Sequence, residues 1–215
     1  MIDGLRVEIG PRALVVTSES PLHALSSAVF RGGLATARSI VNVHVDGDDC
    51  VDPEAALAAY LRDARLPAPC VGLLTGARTE RATVGEEAAH GYHALAAVTV
   101  GLGNRIAAGA SPVARWSPST INTIVVVDAA PEPAALVNAV ITVTEVKALA
   151  LRAAGLATAD GPASGTSTDA VVIAATGRGR PGRFGGPVSE LGWVIAQAAR
   201  QALTAGIGAW VEERR

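Results

Sequence analysis

The 215 residues carry a formal net charge of −2 and a pI near 6.1, with 18% charged and only 3% aromatic residues. That length can bury a sizeable core and sets one domain, residues 1–215, as the expectation. The charge balance gives no electrostatic case for nucleic acid or an anionic membrane, and so few aromatics offer no base-stacking platform.

Taken in order, Val7 to Ile9 and Ala13 to Thr17 read as short strands turning at Gly10-Pro11, and Leu25 to Phe30 as a third strand broken by Gly32-Gly33. Ser39 to Val45 alternates with period 2 and closes on the turn 46–49. Pro53 to Arg65 is an amphipathic helix ended by Pro67 and Pro69, and Val71 to Thr75 a strand. Arg78 to Glu87 is charged and weakly patterned, His93 to Val100 is a strand running into Gly101-Leu102-Gly103-Asn104, and residues 109–119 read as loop. Ile121 to Val127 is a β-branched run suited to a strand buried on both faces. A helix follows from about Ala134 to Leu151, then a loop, a strand over Ala170 to Ala175, a Gly-rich segment 176–186, and a last helix from Pro187 to Ala205 ended by Gly206 and Gly208.

Strands and helices do not alternate strictly. The expected fold is therefore α+β, a mixed β-sheet with helices layered on it, with a four-layer αββα arrangement as the alternative. Cys50 and Cys70 form no CxxC pair, so neither a zinc ribbon nor a thioredoxin-like site is available, and their pairing with each other stays open. The N-terminal Met1-Ile2-Asp3 lacks the basic stretch of a signal peptide, and no run nears eighteen uncharged apolar residues. A cytoplasmic location, no membrane contact and no cofactor are expected; a homo-oligomer is compatible with the sequence.

The helix from Ala134 is apolar nearly all round, which suits burial, yet Asn138, Thr142 and Glu145 fall within roughly 60° of one another on it. A polar stripe ending in a carboxylate needs partners if buried. It fits a satisfied core network or the wall of a pocket. Gly165-Thr166-Ser167-Thr168-Asp169 sets three hydroxyls and a carboxylate just before a buried strand. Such groups supply attacking oxygens and a base, or else a turn whose side chains bond local backbone. Gly101-Leu102-Gly103-Asn104 lacks the third glycine of a dinucleotide turn, because Ile106 stands there, and reads as a tight turn presenting Asn104. Asn42-Val43-His44 departs from a histidine motif for corrinoid cobalt by an Asn where an Asp would polarise the imidazole, and no spaced metal-ligand set is found around His90 and His93. Ser189 and Glu190 are explained by the first turn of the last helix.

Several segments together resemble the adenosylcobinamide amidohydrolase family: residues 25–45, Val71 to Ala77, Val98 to Asn104, Thr120 to Asp128, Leu136 to Leu151, Gly165 to Ala174 and Phe184 to Gly192. The resemblance implies hydrolysis of the amide joining aminopropanol to the corrin ring of adenosylcobinamide, in corrinoid salvage, with adenosylcobyric acid and 1-amino-2-propanol as products. A noncatalytic corrinoid-binding protein and an amidohydrolase for another amide are the alternatives. Amide hydrolysis needs an attacking oxygen, a base, an acid for the leaving amine and donors for the oxyanion. Thr166 and Thr168 are candidates for the oxygen, Asp169 and Glu145 for the base, and Lys147 for the acid or the activator of a hydroxyl. Glu145 and Lys147 lie about 200° apart on a helix, and Glu145 is preferred because it shares the stripe with Thr142. Asn42, Asn104, Asn122, Thr142, Ser167 and Glu190 are the candidate substrate-binding groups. No metal is expected.

Overall fold

The computed structural model describes residues 1–45, 52–113 and 119–214. The expected turn at 46–49 and Cys50 lie outside them. Eight strands build one open mixed sheet: β1 (Leu5–Ile9), β2 (Ala13–Ser26), β3 (Gly33–His44), β4 (Cys70–Thr75), β5 (Thr83–Ala89), β6 (Tyr92–Val100), β7 (Ile121–Asp128) and β8 (Ala170–Ala175). Their order is β4-β3-β2-β8-β7-β6-β5, with β1 paired to β2. The β3–β4 and β7–β8 pairs are parallel; the other pairs are antiparallel. Three helices, α1 (Pro53–Ala64), α2 (Pro133–Ala153) and α3 (Glu190–Glu212), complete the α+β fold.

The sheet curls on itself because β2 bends. Between Thr17 and Leu22 its register against β3 slips, so that residues 18–21, which include Pro21, face Arg38 alone. Such a bulge bends the strand and increases its twist. The guanidinium of Arg38 donates to Glu19 O (2.7 Å) and Ser18 O (3.5 Å), satisfying carbonyls the ladder has lost. The first half of β2 pairs with β1, the second half with β8.

Three apolar layers result. Leu14, Ile40 and Leu73 from one half of the sheet meet Leu95, Ile124 and Val172 from the other, face to face. On the outer side of β6, β7 and β8, α2 and α3 pack on Ala96, Val125 and Ile173. On the outer side of β2 and β3, α1 inserts Leu57 against Val15 and Val41. The strands β4 and β7 touch across the interior although three strands separate them in the sheet. The sequence of layers is thus helix, sheet, sheet, helix, made from a single curled sheet.

Several boundaries differ from the sequence expectation. The strand expected at Leu25 is the end of β2, and β3 starts at Gly33, where a break was expected. The weakly patterned charged segment contains β5; its outer face is covered by α3, and Gly85 has no room for a Cβ beside Ala198 and Gln201. Gly206 does not end α3 but lies within it, where a Cβ would stand 2.8 Å from Val100 and 2.9 Å from Thr83 Oγ1. These glycines let the helix approach the strands, the close-packing use of the residue.

The orientation of α2 decides the site. Its inward residues are Ala135, Leu136, Ala139, Thr142, Val143, Lys147 and Leu151, a stripe of helical period. Val137, Ile141 and Leu149 face out. By length and apolar content alone α2 could cross a membrane, but this stripe is buried against β8 and α3.

Candidate active site

The inner row of apolar side chains ends in polar residues on four strands at one end of the sheet. Two positions beyond Ile40, Leu73 and Ala97 stand Asn42, Thr75 and Thr99; two positions before Ile124 stands Asn122. All four polar residues are buried. Asn122 Nδ2 donates to Asn42 Oδ1 and to Leu74 O, both at 2.8 Å, and Asn42 Nδ2 donates to Thr99 Oγ1 at 2.8 Å. Thr120 Oγ1 has its one proton between two acceptors, Thr168 O at 2.8 Å and Asn122 Oδ1 at 3.1 Å. Buried amides need such partners, and this chain supplies them across both halves of the sheet.

Beside this network the loop 165–169 enters β8. Asp169 receives four donors: Lys147 Nζ and Thr166 N (3.1 Å) on Oδ2, and Thr166 Oγ1 and Ile121 N (3.0 Å) on Oδ1. An ionised carboxylate offers about four lone-pair positions, so its accepting capacity is filled. Lys147 and Asp169 each expose a tenth of their side chain. Lys147 comes from the inward stripe of α2, one turn from Val143 and from Leu151. Gly165 leaves room for the pair: a Cβ there would overlap the Asp169 carboxylate and stand 2.8 Å from Lys147 Nζ.

The turn 101–104 closes the same corner. Gly165 and Thr166 pair with Ile106 and Arg105 as a short antiparallel ribbon, and Asn104 Nδ2 donates to Ser167 Oγ at 2.7 Å. Ser119 Oγ accepts from Gly103 N at 2.7 Å, and Ser119 O accepts from Thr168 Oγ1 at 3.4 Å. Gly101, Gly103 and Ser119 also form one wall of a cleft of about 570 Å³, whose other sides carry Arg78, Trp210 and Arg214. A second cleft, about 610 Å³, is lined by His23, Leu34, Pro131 and Leu136 at the opposite end of β8 and holds none of the candidate residues.

A family profile for adenosylcobinamide amidohydrolase matches residues 1–215, the whole chain. The chain belongs to the adenosylcobinamide amidohydrolase family. It is accordingly an amidohydrolase, and its buried hydroxyl, carboxylate and ammonium cluster is read in that light. A search of curated proteins gives no match. Among solved structures, the PH0078 protein from Pyrococcus horikoshii OT3 is 13% identical with a TM-score of 0.50, over 96% of this chain and 80% of that one. A Burkholderia sp. beta-aminopeptidase is 16% identical with a TM-score of 0.47, over 96% of this chain and 84% of that one. The likeness to PH0078 is one of fold.

The structure brings Lys147, Thr166, Thr168 and Asp169 together, with Asn42, Asn104, Asn122 and Ser167 around them. It does not bring in Glu145, Thr142 or Glu190. The preference for Glu145 over Lys147 rested on the stripe it shares with Thr142; α2 instead turns Glu145 to solvent and Lys147 inward. Thr142 is buried but donates to Gly185 O (3.0 Å), tying α2 to the segment before α3. Glu190 pairs with Arg180 at 2.6 Å in the first turn of α3. His44 Nδ1 lies 2.9 Å from Ala77 O, and Asn42 is taken up by Asn122 and Thr99. His93 lies 3.2 Å from Glu86, and no three His, Cys, Asp or Glu side chains gather as a ligand set among the described residues.

Sequence reasoning missed Ser119, Thr120 and Thr99. Thr99 carried a signal: it follows Leu95 and Ala97 on one strand face as its last, polar member.

Proposed function

We propose that this chain hydrolyses the secondary amide joining aminopropanol to the corrin ring of adenosylcobinamide, releasing adenosylcobyric acid and 1-amino-2-propanol. The observation that carries the reading is the family match over residues 1–215, joined to one cluster that holds each group amide hydrolysis requires. Thr166 Oγ1 already donates to Asp169 Oδ1, so attack on the amide carbon passes the hydroxyl proton to that carboxylate. Lys147 Nζ, held on the other carboxylate oxygen, gives a proton to the departing amine. The resulting ester is cleaved by water, whose proton returns through the same Asp169–Lys147 pair, and Thr166 regains its hydroxyl.

Asn42, Asn122 and Thr99 fix the ends of β3, β7 and β6 against one another and so hold Ile121 N–H on Asp169. Positioning of this kind lowers the barrier by removing reorganisation. The test is kinetic. Thr166→Val keeps shape and removes the hydroxyl; it should reduce turnover of adenosylcobinamide by about a hundredfold or more, whereas Thr166→Ser should keep most of it. Wild-type turnover in Thr166→Val would remove the hydroxyl from the mechanism.

A further inference from the structure

Ser119 carries a hydroxyl that the proposed reaction has not used. It stands where the strand hydrogen bonding of β7 continues into the turn 101–104: Gly101 N donates to Thr120 O at 3.0 Å, and Gly103 N donates to Ser119 Oγ at 2.7 Å. A serine hydroxyl has one proton to donate and two lone pairs. The Gly103 N–H occupies a lone pair, and no described residue accepts the proton. The oxygen is therefore held from behind while its O–H is available to the cleft.

The two glycines of the turn are explained by this hydroxyl. A Cβ on Gly101 would come to 3.1 Å from Ser119 Oγ, and one on Gly103 to 3.3 Å. Side chains at either position would crowd the hydroxyl and narrow the cleft beside it. Gly101-Leu102-Gly103 thus leaves open space around one donor, without any phosphate-binding role.

The cleft has the size and chemistry of a place for a polar arm. Its volume of about 570 Å³ falls within the range of small-molecule sites, and Arg78 and Arg214 add guanidinium donors to its rim. Its Ser119 wall is fixed to the catalytic loop, because Thr168 Oγ1 donates to Ser119 O and Thr120 Oγ1 donates to Thr168 O.

We infer that this cleft receives the aminopropanol arm of the corrinoid and that the Ser119 hydroxyl donates to the carbonyl oxygen of the amide being cleaved. The inference rests on the proposed hydrolysis and adds to it the group that meets the developing oxyanion. Charge on that oxygen grows in the transition state, so the same hydrogen bond strengthens as the reaction proceeds.

Two variants decide it. In Ser119→Ala, kcat/KM for adenosylcobinamide should fall about a hundredfold, the scale of losing one oxyanion donor. Its melting temperature should stay close to wild type, since the Gly103–Ser119 bond is solvent-exposed and water replaces it. Ala209 is exposed on α3 and lines the cleft away from the catalytic loop. Ala209→Trp fills the space and should weaken adenosylcobinamide binding at least tenfold in equilibrium dialysis, read from the colour of the corrinoid. Wild-type kcat/KM in Ser119→Ala overturns the donor role. Unchanged binding in Ala209→Trp overturns the placement in the cleft. If the wild-type enzyme binds adenosylcobinamide but releases no aminopropanol, the hydrolysis reading and the donor role fall together, and dialysis alone judges the cleft.

Discussion

Lys147 on the inward face of α2 and Asp169 at the start of β8 form an ion pair with a tenth of each side chain exposed. The pair joins the helix layer to the sheet at the end where the turn 101–104 and the loop 165–169 meet. Removing one member of a buried pair leaves the other charge without compensation, at about 3–5 kcal/mol. Lys147→Met should therefore lower the urea midpoint strongly as well as abolish turnover. Asp169→Asn keeps the shape of the side chain but not its charge, and should reduce turnover per folded molecule by about a hundredfold. Normal turnover per folded molecule in Asp169→Asn would reduce the cluster to a structural clamp between α2 and β8.

Gly165 tests the same geometry without touching a charged group. Its missing Cβ is what lets Lys147 reach Asp169 over the backbone. Gly165→Ala should separate the pair and lower both stability and turnover, with a stability loss of about 1–3 kcal/mol for forced overpacking. A Gly165→Ala protein with wild-type melting temperature and rate would show that the pair tolerates the added methyl.

Asn122 is the hub of the buried polar row. Asn122→Ala leaves Asn42 Oδ1 and Leu74 O without their Asn122 donor, while the Thr120 hydroxyl keeps Thr168 O. Unsatisfied buried groups cost about 1–3 kcal/mol each, so chemical denaturation should show a loss of about 2 kcal/mol or more. A loss below about 1 kcal/mol would mean that water or a side-chain shift satisfies the row without Asn122.

Much of the fold was legible because strands announce themselves by period. The apolar runs at 121–127 and 170–175 and the alternation at 39–45 correspond to β7, β8 and β3. The bend in β2 was not legible: it read as two strands because Pro21 interrupts a pattern that the bulge in fact carries through. The loop 165–169 was legible as a cluster of hydroxyls and a carboxylate entering a buried strand. The partner of Asp169 was not, because Lys147 stands outside the polar stripe of Asn138, Thr142 and Glu145 and instead joins the inward apolar face with Leu136, Val143 and Leu151. Val137, Ile141 and Leu149 are exposed, so α2 carries apolar side chains on its outer face as well as its inner one. Thr142 of that stripe is buried, but Glu145, three residues on, is exposed, and Lys147 is inward.

Glu86 supplies a pH dependence with a defined sign. Burial pushes its carboxyl up, but hydrogen bonds from the Met1 ammonium and His93 outweigh this and hold it below the ordinary value of 4.5. A carboxyl lowered in the folded state contributes stability that is present above its unfolded value and lost as pH falls through the folded one. The melting temperature should therefore drop on acidification below about pH 4.5 by less in Glu86→Gln than in wild type. Parallel acid profiles for the two proteins would show that the carboxylate contributes nothing on the acid side.

The central claim is the reaction itself. Pure protein incubated with adenosylcobinamide, with the mixture followed by mass spectrometry, should yield 1-amino-2-propanol and adenosylcobyric acid in equal amounts, at a rate that collapses in Asp169→Asn. Bound but intact adenosylcobinamide after prolonged incubation would contradict the account.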